Sequence, residues 1–282
     1  MDHTREGSSY RNRAPSPMFA ANAVLIASFG AHAERAPTGD LPNRAGRRKM
    51  RSNCRATNDF AAAASIARRG ARDPGMIDAT AALIVADVQY SFMPGGSLAV
   101  PGGDEVVPII NALAKRFANV VLTQDWHPPG HGSFASSHPG AQPFDTAVLP
   151  YGAQILWPDH CVQGSEGARL HRNLDIPHAQ LVLRKGYHKD VDSYSAFIEA
   201  DGITRTGLAS YLRERGIGSV YVCGLATDFC VAWTALDARK LGFAATVIED
   251  ACRAIDTQGS LASAWERMRS AGVARVRSTE LH

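Results

Sequence analysis

Cysteine is scarce in this sequence, and long apolar runs are missing. The five cysteines lie at positions 54, 161, 223, 230 and 252. An odd count without paired spacing argues against a disulfide framework and predicts a reducing, cytoplasmic environment. No stretch of about 20 apolar residues occurs, so we predict no membrane-spanning segment. No internal repeat is present either.

Strong net charge is also missing, because two segments of opposite charge nearly cancel. The 282 residues carry a net charge of +3. Residues 1–75 hold 13 basic and 6 acidic side chains, a net charge of +7, and the remaining residues carry −4. A balance this mild gives no reason to expect a nucleic-acid partner. The sequence leaves open whether copies of the chain form a homo-oligomer.

Residues 1–75 have no sustained helical or strand periodicity. They cannot bury enough apolar surface to offset chain entropy, so we expect a disordered or non-native N-terminal extension. An apolar stretch at 18–29, preceded by Arg11 and Arg13, imitates a secretory signal peptide. We favour a translation start at Met76, directly before the first strand pattern. The folded domain is then predicted to cover residues 76–282.

From residue 78 onward, strand patterns and helix patterns alternate. The strand patterns are short and rich in Val, Ile and Leu, which is typical of strands covered on both faces. This alternation predicts an α/β fold, a three-layer α/β/α arrangement around a six-stranded parallel, doubly wound sheet. The predicted strands are 81–88, 119–124, 180–184, 218–223, 243–249 and 273–277, and the predicted helices are 104–118, 204–216, 229–241 and 257–271.

Asp87, Lys185 and Cys230 each lie just past the end of a different strand pattern. The carboxyl ends of parallel strands share one crevice, so these side chains can converge there. A thiol in the first turn of a helix meets unpaired amides that favour the thiolate and can hold an oxyanion. With an acid to relay protons and a cation, this set suits amide hydrolysis. A buried thiol, a turn-capping Asp and a surface Lys remain the alternatives.

A second group of residues is typical of a metal site. Asp125 and His127 begin a long segment rich in proline and glycine, His131 follows, and His160 lies near its end. One carboxylate and up to three imidazoles fit zinc, iron or manganese, and not calcium. Loops of this length usually serve a site, and we expect no long regular element between 125 and 180. A short Asp-x-His motif and a lone His are also common without a metal.

Several motifs occur together in one order along the chain. They are Asp87-Val-Gln-Tyr-Ser-Phe92-Met-Pro-Gly-Gly-Ser-Leu-Ala-Val100, Gln124-Asp-Trp-His-Pro128 with His131-Gly-Ser-Phe-Ala-Ser136, Trp157-Pro-Asp-His-Cys-Val162, Val191-Asp-Ser-Tyr-Ser-Ala-Phe197 and Gly224-Leu-Ala-Thr-Asp-Phe-Cys-Val231. With them the chain resembles the bacterial nicotinamidase (pyrazinamidase) family of the isochorismatase-like cysteine hydrolases, over about residues 78–280. The resemblance implies an amidohydrolase that converts nicotinamide to nicotinate and ammonia through a cysteine thioester, in NAD salvage, and that also accepts pyrazinamide.

The resemblance also implies a role for each matching residue. Cys230 would be the nucleophile, Asp87 the proton relay and Lys185 the third catalytic residue. The amides of Ala226 and Cys230 would form the oxyanion hole, beside a cis peptide bond between residues 225 and 226. One divalent metal ion, with zinc ahead of iron or manganese, would be held by Asp125, His127 and His160, and His131 lies near a position that is a ligand in some members. The walls of the ring-binding pocket would be Phe92, Trp157 and Tyr194.

Two alternatives stay open beside this interpretation. The first is a related cysteine amidase for another small amide, such as a carbamoyl or ureido compound, although those relatives generally lack the full metal motif. The second, from a different class, is a metal-binding module without catalytic activity. A relative that hydrolyses isochorismate would lack the Cys that is present here at position 230.

Overall fold

The computed structural model describes residues 77–281, in which strands and helices alternate along the chain. The predicted extension at 1–75 lies outside the described residues. Among the described residues, no helix is long and apolar enough to span a membrane. The elements are β1 (Ala81–Ala86), α1 (Val106–Ala114), β2 (Asn119–Asp125), β3 (Thr146–Leu149), β4 (Gly152–Ile155), β5 (Leu181–Lys185), α2 (Leu208–Glu214), β6 (Ser219–Leu225), α3 (Ala232–Lys240), β7 (Ala244–Arg253), α4 (Ser260–Ser270) and β8 (Ala274–Val276).

Six strands form one parallel sheet in the order β5-β2-β1-β6-β7-β8. The central strand β1 is apolar, and all of its residues are buried, as expected for a strand covered on both faces. From β1 the chain moves outward through β2 to β5, and then continues from β6 in the opposite direction. Right-handed crossovers therefore place α1 and α3 on opposite faces of the sheet. This architecture confirms the predicted doubly wound α/β fold.

Three helices begin later than predicted because turns occupy their expected first residues. The carboxylate of Asp201 accepts hydrogen bonds from the amides of Ile203 and Thr204, so α2 starts only at residue 208. Short side chains that hydrogen-bond nearby amides compete with helix formation in this way. Before α4, the amides of Ile255 and Asp256 instead donate to Asp228, a residue far away in the chain, and α4 starts at residue 260. Before α3, the chain forms a π-helical turn at Thr227–Val231.

The segment from 125 to 180 contains an unpredicted antiparallel hairpin formed by β3 and β4. Its prolines, at 143, 150 and 158, fall outside the paired residues, so both strands keep their backbone donors. Val148 on this hairpin is 82% exposed, whereas the side chain of Gln154 is buried. The hairpin directly precedes Trp157 and His160 in the chain.

Candidate active site

Four neighbouring strands bring the reactive residues to one edge of the sheet. Asp87 directly follows β1, Asp125 ends β2, Lys185 ends β5, and Cys230 lies in the turn after β6. The strand order reverses between β1 and β6. In open α/β sheets, ligands bind in the crevice outside the carboxyl ends of the strands at such a reversal. The structure therefore brings the four side chains together where this topology forms a pocket.

The ammonium group of Lys185 lies at the centre of the site and is buried. Its Nζ is 2.5 Å from Asp125 Oδ1 and 2.9 Å from Asp87 Oδ2. It also donates to the Ser193 carbonyl at 2.9 Å and lies 3.3 Å from Cys230 Sγ. Burial by itself would lower the pKa of Lys185, but the neighbouring carboxylates outweigh burial and hold this pKa well above its usual value. Lys185 is therefore a permanent cation that contacts both acids and the thiol.

The two carboxylates beside Lys185 have opposite pKa shifts. Burial raises the pKa of Asp87, and Lys185 opposes this only in part. Burial would also raise the pKa of Asp125, yet the charges of Lys185 and His127 outweigh it and hold this pKa well below its usual value. The hydroxyl of Thr123 donates to Asp87 Oδ1 at 2.6 Å and orients that carboxylate. Asp87 is thus the better proton acceptor, whereas Asp125 remains an anion.

Cys230 is only 6% exposed, and this burial changes the state that its position in the sequence predicted. Burial raises the pKa of the Cys230 thiol well above its usual value, and Lys185 offsets only part of the rise. The effect of a helix start, which favours the thiolate, does not prevail here because two carboxylates also face the sulfur. This raised pKa favours the thiol over the thiolate, so the use of Cys230 as a nucleophile calls for a nearby base.

The peptide bond between Leu225 and Ala226 is cis, as the family resemblance implied. It joins the end of β6 to the turn that carries Cys230, and Ala226 and Cys230 both line the pocket. The backbone amides of Phe229 and Val231 donate to the Ala226 carbonyl at 3.1 Å, which closes this turn. The oxyanion role of the amides of Ala226 and Cys230 stays a prediction.

Asp125, His127 and His160 form a buried group whose ligand atoms could hold a metal ion. Asp125 Oδ2 lies 3.6 Å from His127 Nε2 and 3.7 Å from His160 Nε2. The Nδ1 of His127 is 2.8 Å from the Gly186 carbonyl, and the Nδ1 of His160 is 2.9 Å from the Pro158 carbonyl. A carbonyl only accepts, so each Nδ1 carries a proton, and Nε2 is the atom of each ring that can bind an ion when the ring is neutral. A Cβ at Gly186 would lie 2.4 Å from the His127 ring, so glycine is required there.

His131 lies beside this group, with both ring nitrogens close to protein atoms. Its ring centroid is 4.4 Å from that of His127. Nδ1 is 2.7 Å from the Ser133 hydroxyl, and Nε2 is 3.0 Å and 3.3 Å from the carbonyls of His188 and Val191. Two carbonyls facing Nε2 require a proton on that atom, which leaves it no lone pair for an ion. These contacts favour a His131 that packs against His127 without binding the ion. Its role as a metal ligand stays a prediction.

Aromatic side chains enclose the pocket above Cys230. The structure places the three predicted walls, Phe92, Trp157 and Tyr194, around it. Phe229 packs perpendicular to Trp157 with ring centroids 4.9 Å apart. The sequence reasoning missed the lining residues Leu98, Asp192, Phe229 and Ile255. Leu98, Asp192 and Phe229 lie inside the motifs given above, whereas no signal marked Ile255.

A buried glutamine that the sequence reasoning did not single out positions Asp125. The side chain of Gln89 accepts a hydrogen bond from the Asp125 amide and donates to the Asp125 carbonyl, both at 2.8 Å. The same amide group donates to the Ala168 carbonyl at 2.9 Å. Gln89 thus holds the end of β2 and a distant loop in one place. Its occurrence in the Asp87-Val-Gln motif was the only available signal.

Comparison with known proteins connects this geometry to one family. The model of the isochorismatase domain matches residues 81–280. A nicotinamidase from Acinetobacter baylyi is 60% identical over 200 residues, which cover 71% of this chain and 94% of the relative. A solved nicotinamidase and pyrazinamidase structure from Acinetobacter baumanii matches with a TM-score of 0.72 and 60% identity, covering 73% of this chain and 99% of that one.

A pyrazinamidase from Pyrococcus horikoshii, solved in complex with zinc, matches with a TM-score of 0.58 and 37% identity, covering 70% of this chain and 99% of that one. The region that the family model matches, residues 81–280, contains every residue of the site described above. Because the family model covers most of the chain and these relatives align over nearly their whole length, the chain belongs to the isochorismatase family.

Proposed function

We propose that the protein is a nicotinamidase that hydrolyses nicotinamide to nicotinate and ammonia in cytoplasmic NAD salvage, and that it also accepts pyrazinamide. The observation that carries this proposal is that Lys185 contacts both Asp87 and Cys230, and that Cys230 lines an aromatic pocket. The 60% identity to a nicotinamidase supports the choice of substrate. The four described cysteines are all free, in keeping with a reducing compartment.

The proposed reaction starts with proton transfer from the Cys230 thiol to Asp87, whose raised pKa suits it as a base. The sulfur then adds to the carboxamide carbon, and the charge that develops on oxygen is held by the amides of Ala226 and Cys230. The carbon–nitrogen bond breaks as Asp87 returns the proton to the departing ammonia. Water, deprotonated by Asp87, hydrolyses the thioester to nicotinate and restores the thiol. Lys185 stabilises the anionic forms of both Cys230 and Asp87.

Asp125, His127 and His160 would hold one divalent metal ion, most suitably zinc, with iron and manganese as the alternatives. The hydrogen bonds of each Nδ1 leave two imidazole Nε2 atoms and a carboxylate oxygen within 4.8 Å of one another, a donor set that suits zinc. Such an ion would supply a positive centre that attracts a ring nitrogen or a water molecule. His160 also lines the pocket, so this centre would adjoin the substrate.

The pocket suits a flat aromatic amide. Trp157, Phe229 and Tyr194 present ring surfaces to it, and aromatic rings pack favourably against such walls. A carbamoyl or ureido compound has no ring to fill that space. The aromatic walls and the metal donors therefore favour nicotinamide over these alternatives.

Ammonia release separates the candidate functions. Purified full-length protein supplied with zinc is incubated with nicotinamide, pyrazinamide, a carbamoyl amino acid or benzamide, which lacks the ring nitrogen. We expect rapid ammonia release from the first two compounds and slow release from benzamide. Release from the carbamoyl compound alone would establish the alternative amidase, and release from none of them would leave a metal-binding module.

A further inference from the structure

Gln154 connects the hairpin to the substrate pocket without lining the pocket itself. It lies in β4, and its side chain is 2% exposed. Its Nε2 is 2.8 Å from the Tyr194 hydroxyl and 2.9 Å from Asp192 Oδ2. Nε2 also lies 2.7 Å from the Ile155 carbonyl, and Oε1 accepts from the Tyr151 hydroxyl at 3.1 Å. This buried amide therefore has hydrogen-bond partners on both of its polar atoms.

The partners determine which way the amide of Gln154 faces. A carboxylate and a backbone carbonyl can only accept hydrogen bonds, so the nitrogen must face Asp192 and Ile155. The indole Nε1 of Trp157 lies 3.0 Å from the Tyr194 hydroxyl, and an indole nitrogen can only donate. The Tyr194 oxygen therefore accepts from the Trp157 indole, and it shares with Asp192 and Ile155 the two hydrogens that Gln154 Nε2 can donate. These hydrogen bonds join two aromatic walls and one carboxylate of the pocket to a single side chain.

We propose that Gln154 is a positioning residue for substrate binding, which fixes Tyr194, Trp157 and Asp192 in the orientation that receives the aromatic ring. This inference rests on the proposed nicotinamidase function. Asp192 receives its second hydrogen bond from the Ser193 amide, and the Ser193 carbonyl accepts from Lys185. The segment that Gln154 holds is thus continuous with the segment that contacts the catalytic cation.

The effect of Gln154 on substrate binding follows from its burial. Without this amide, the Tyr194 hydroxyl and the Asp192 carboxylate lose a donor in a site where water has little access, and both must move to find another partner. The ring walls then no longer stand in one orientation, so the substrate must order them when it binds. Removal of this amide should therefore weaken substrate binding and not the chemical step, because Gln154 touches neither Cys230 nor Asp87 in the contacts given above.

The test compares Gln154→Met, which keeps the length of the side chain but removes its hydrogen bonds, with wild type in the ammonia assay. We expect KM for nicotinamide to rise roughly tenfold, as for one or two hydrogen bonds lost from a buried site. We expect kcat to stay within about threefold of the wild-type value, because Gln154 contacts neither Cys230 nor Asp87. Gln180→Met is the matched control, since Gln180 bonds only backbone groups near the start of β2 and should leave KM unchanged. A purely structural role would lower the melting temperature and kcat while leaving KM unaltered, and that result would overturn the proposal.

Tyr194→Phe keeps the ring and removes the oxygen, so it tests the same link if Gln154→Met does not fold. Its KM should also rise, and the double variant should show less than the product of the two single effects, because the residues act through one hydrogen bond. An unchanged KM for Tyr194→Phe would contradict the proposal. If wild type releases no ammonia from nicotinamide, the proposed function has failed. The melting temperatures of the two single variants and the double variant then test the hydrogen bond between Gln154 and Tyr194. Additive losses of stability would refute that link.

Discussion

Lys185→Met tests the electrostatic core of the site most directly. The ammonium group is buried and lies within 3 Å of one oxygen from each of Asp87 and Asp125. Methionine has a similar length and no charge, so it fills the space and leaves two carboxylates buried without a cation. Removing one partner of a buried ion pair costs about 3–5 kcal/mol of the free energy of unfolding. For a domain of this size, we expect the melting temperature to fall by roughly 6–20 °C.

The loss of stability must depend on pH in a defined direction. In wild type, Lys185 helps to hold the pKa of Asp125 below its unfolded value, which stabilises the fold above that value and less so as pH falls. In the variant, burial raises the pKa of both carboxyl groups above their unfolded value of about 3.9. A carboxyl group with a raised pKa in the folded state contributes fully to the free energy of unfolding at low pH. That contribution is lost as the pH rises through the pKa of the folded state. The gap between the two proteins should therefore be wide at pH 7 and narrow near pH 4.

Urea unfolding of wild type, Lys185→Met and a control measures this gap, with chelator present so that metal binding adds nothing to either curve. The control is Arg169→Met, which removes an exposed pair with Glu166 and should cost no more than about 1 kcal/mol. Ammonia release should be lost in the Lys185 variant and kept in the control. Equal stability of the two variants at pH 7, or a gap that does not change with pH, would refute the assignment of Lys185 as the charge that balances both acids.

Four further predictions concern the nucleophile, the metal and the chain boundary. Cys230→Ala should release no ammonia from nicotinamide while its melting temperature stays close to that of wild type; measurable turnover by that variant would rule out a thioester. Because burial raises the pKa of Cys230 above its usual value of 9.0, its alkylation by iodoacetamide should still accelerate above pH 9, and a plateau at neutral pH would contradict this. His160→Ala should bind much less zinc per chain than wild type by metal analysis and recover little activity when zinc is added back; near-stoichiometric zinc in that variant would exclude His160 as a ligand. A chain that begins at Met76 should match the full chain in activity and melting temperature, and an insoluble or inactive product would show that residues 1–75 contribute to the domain.

Much of the fold and part of the site could be predicted because burial leaves a local pattern in the chain. Strands covered on both faces must be continuously apolar, so β1, β2 and β6 stood out as short runs, and their carboxyl ends marked Asp87 and Cys230. The hairpin of β3 and β4 was missed because each of its strands has only 4 residues and prolines lie on either side. Ile255 was missed because a single apolar residue in a loop has no periodicity that places it near a pocket, and for the same reason Leu98 did not stand out inside its motif.

The sequence by itself determined which chemical groups are present and at which edge of the sheet they lie, since the alternation of strands and helices along the chain follows from local patterns. Only the tertiary structure decided their protonation and orientation. The pKa of Cys230 is raised because distant segments bury it beside two carboxylates, which favours the thiol. Gln154 reaches Asp192 and Tyr194 only after the hairpin packs on the loop beyond β5. Such effects depend on solvent exclusion and on distances between residues far apart in the chain, and no local pattern contains them.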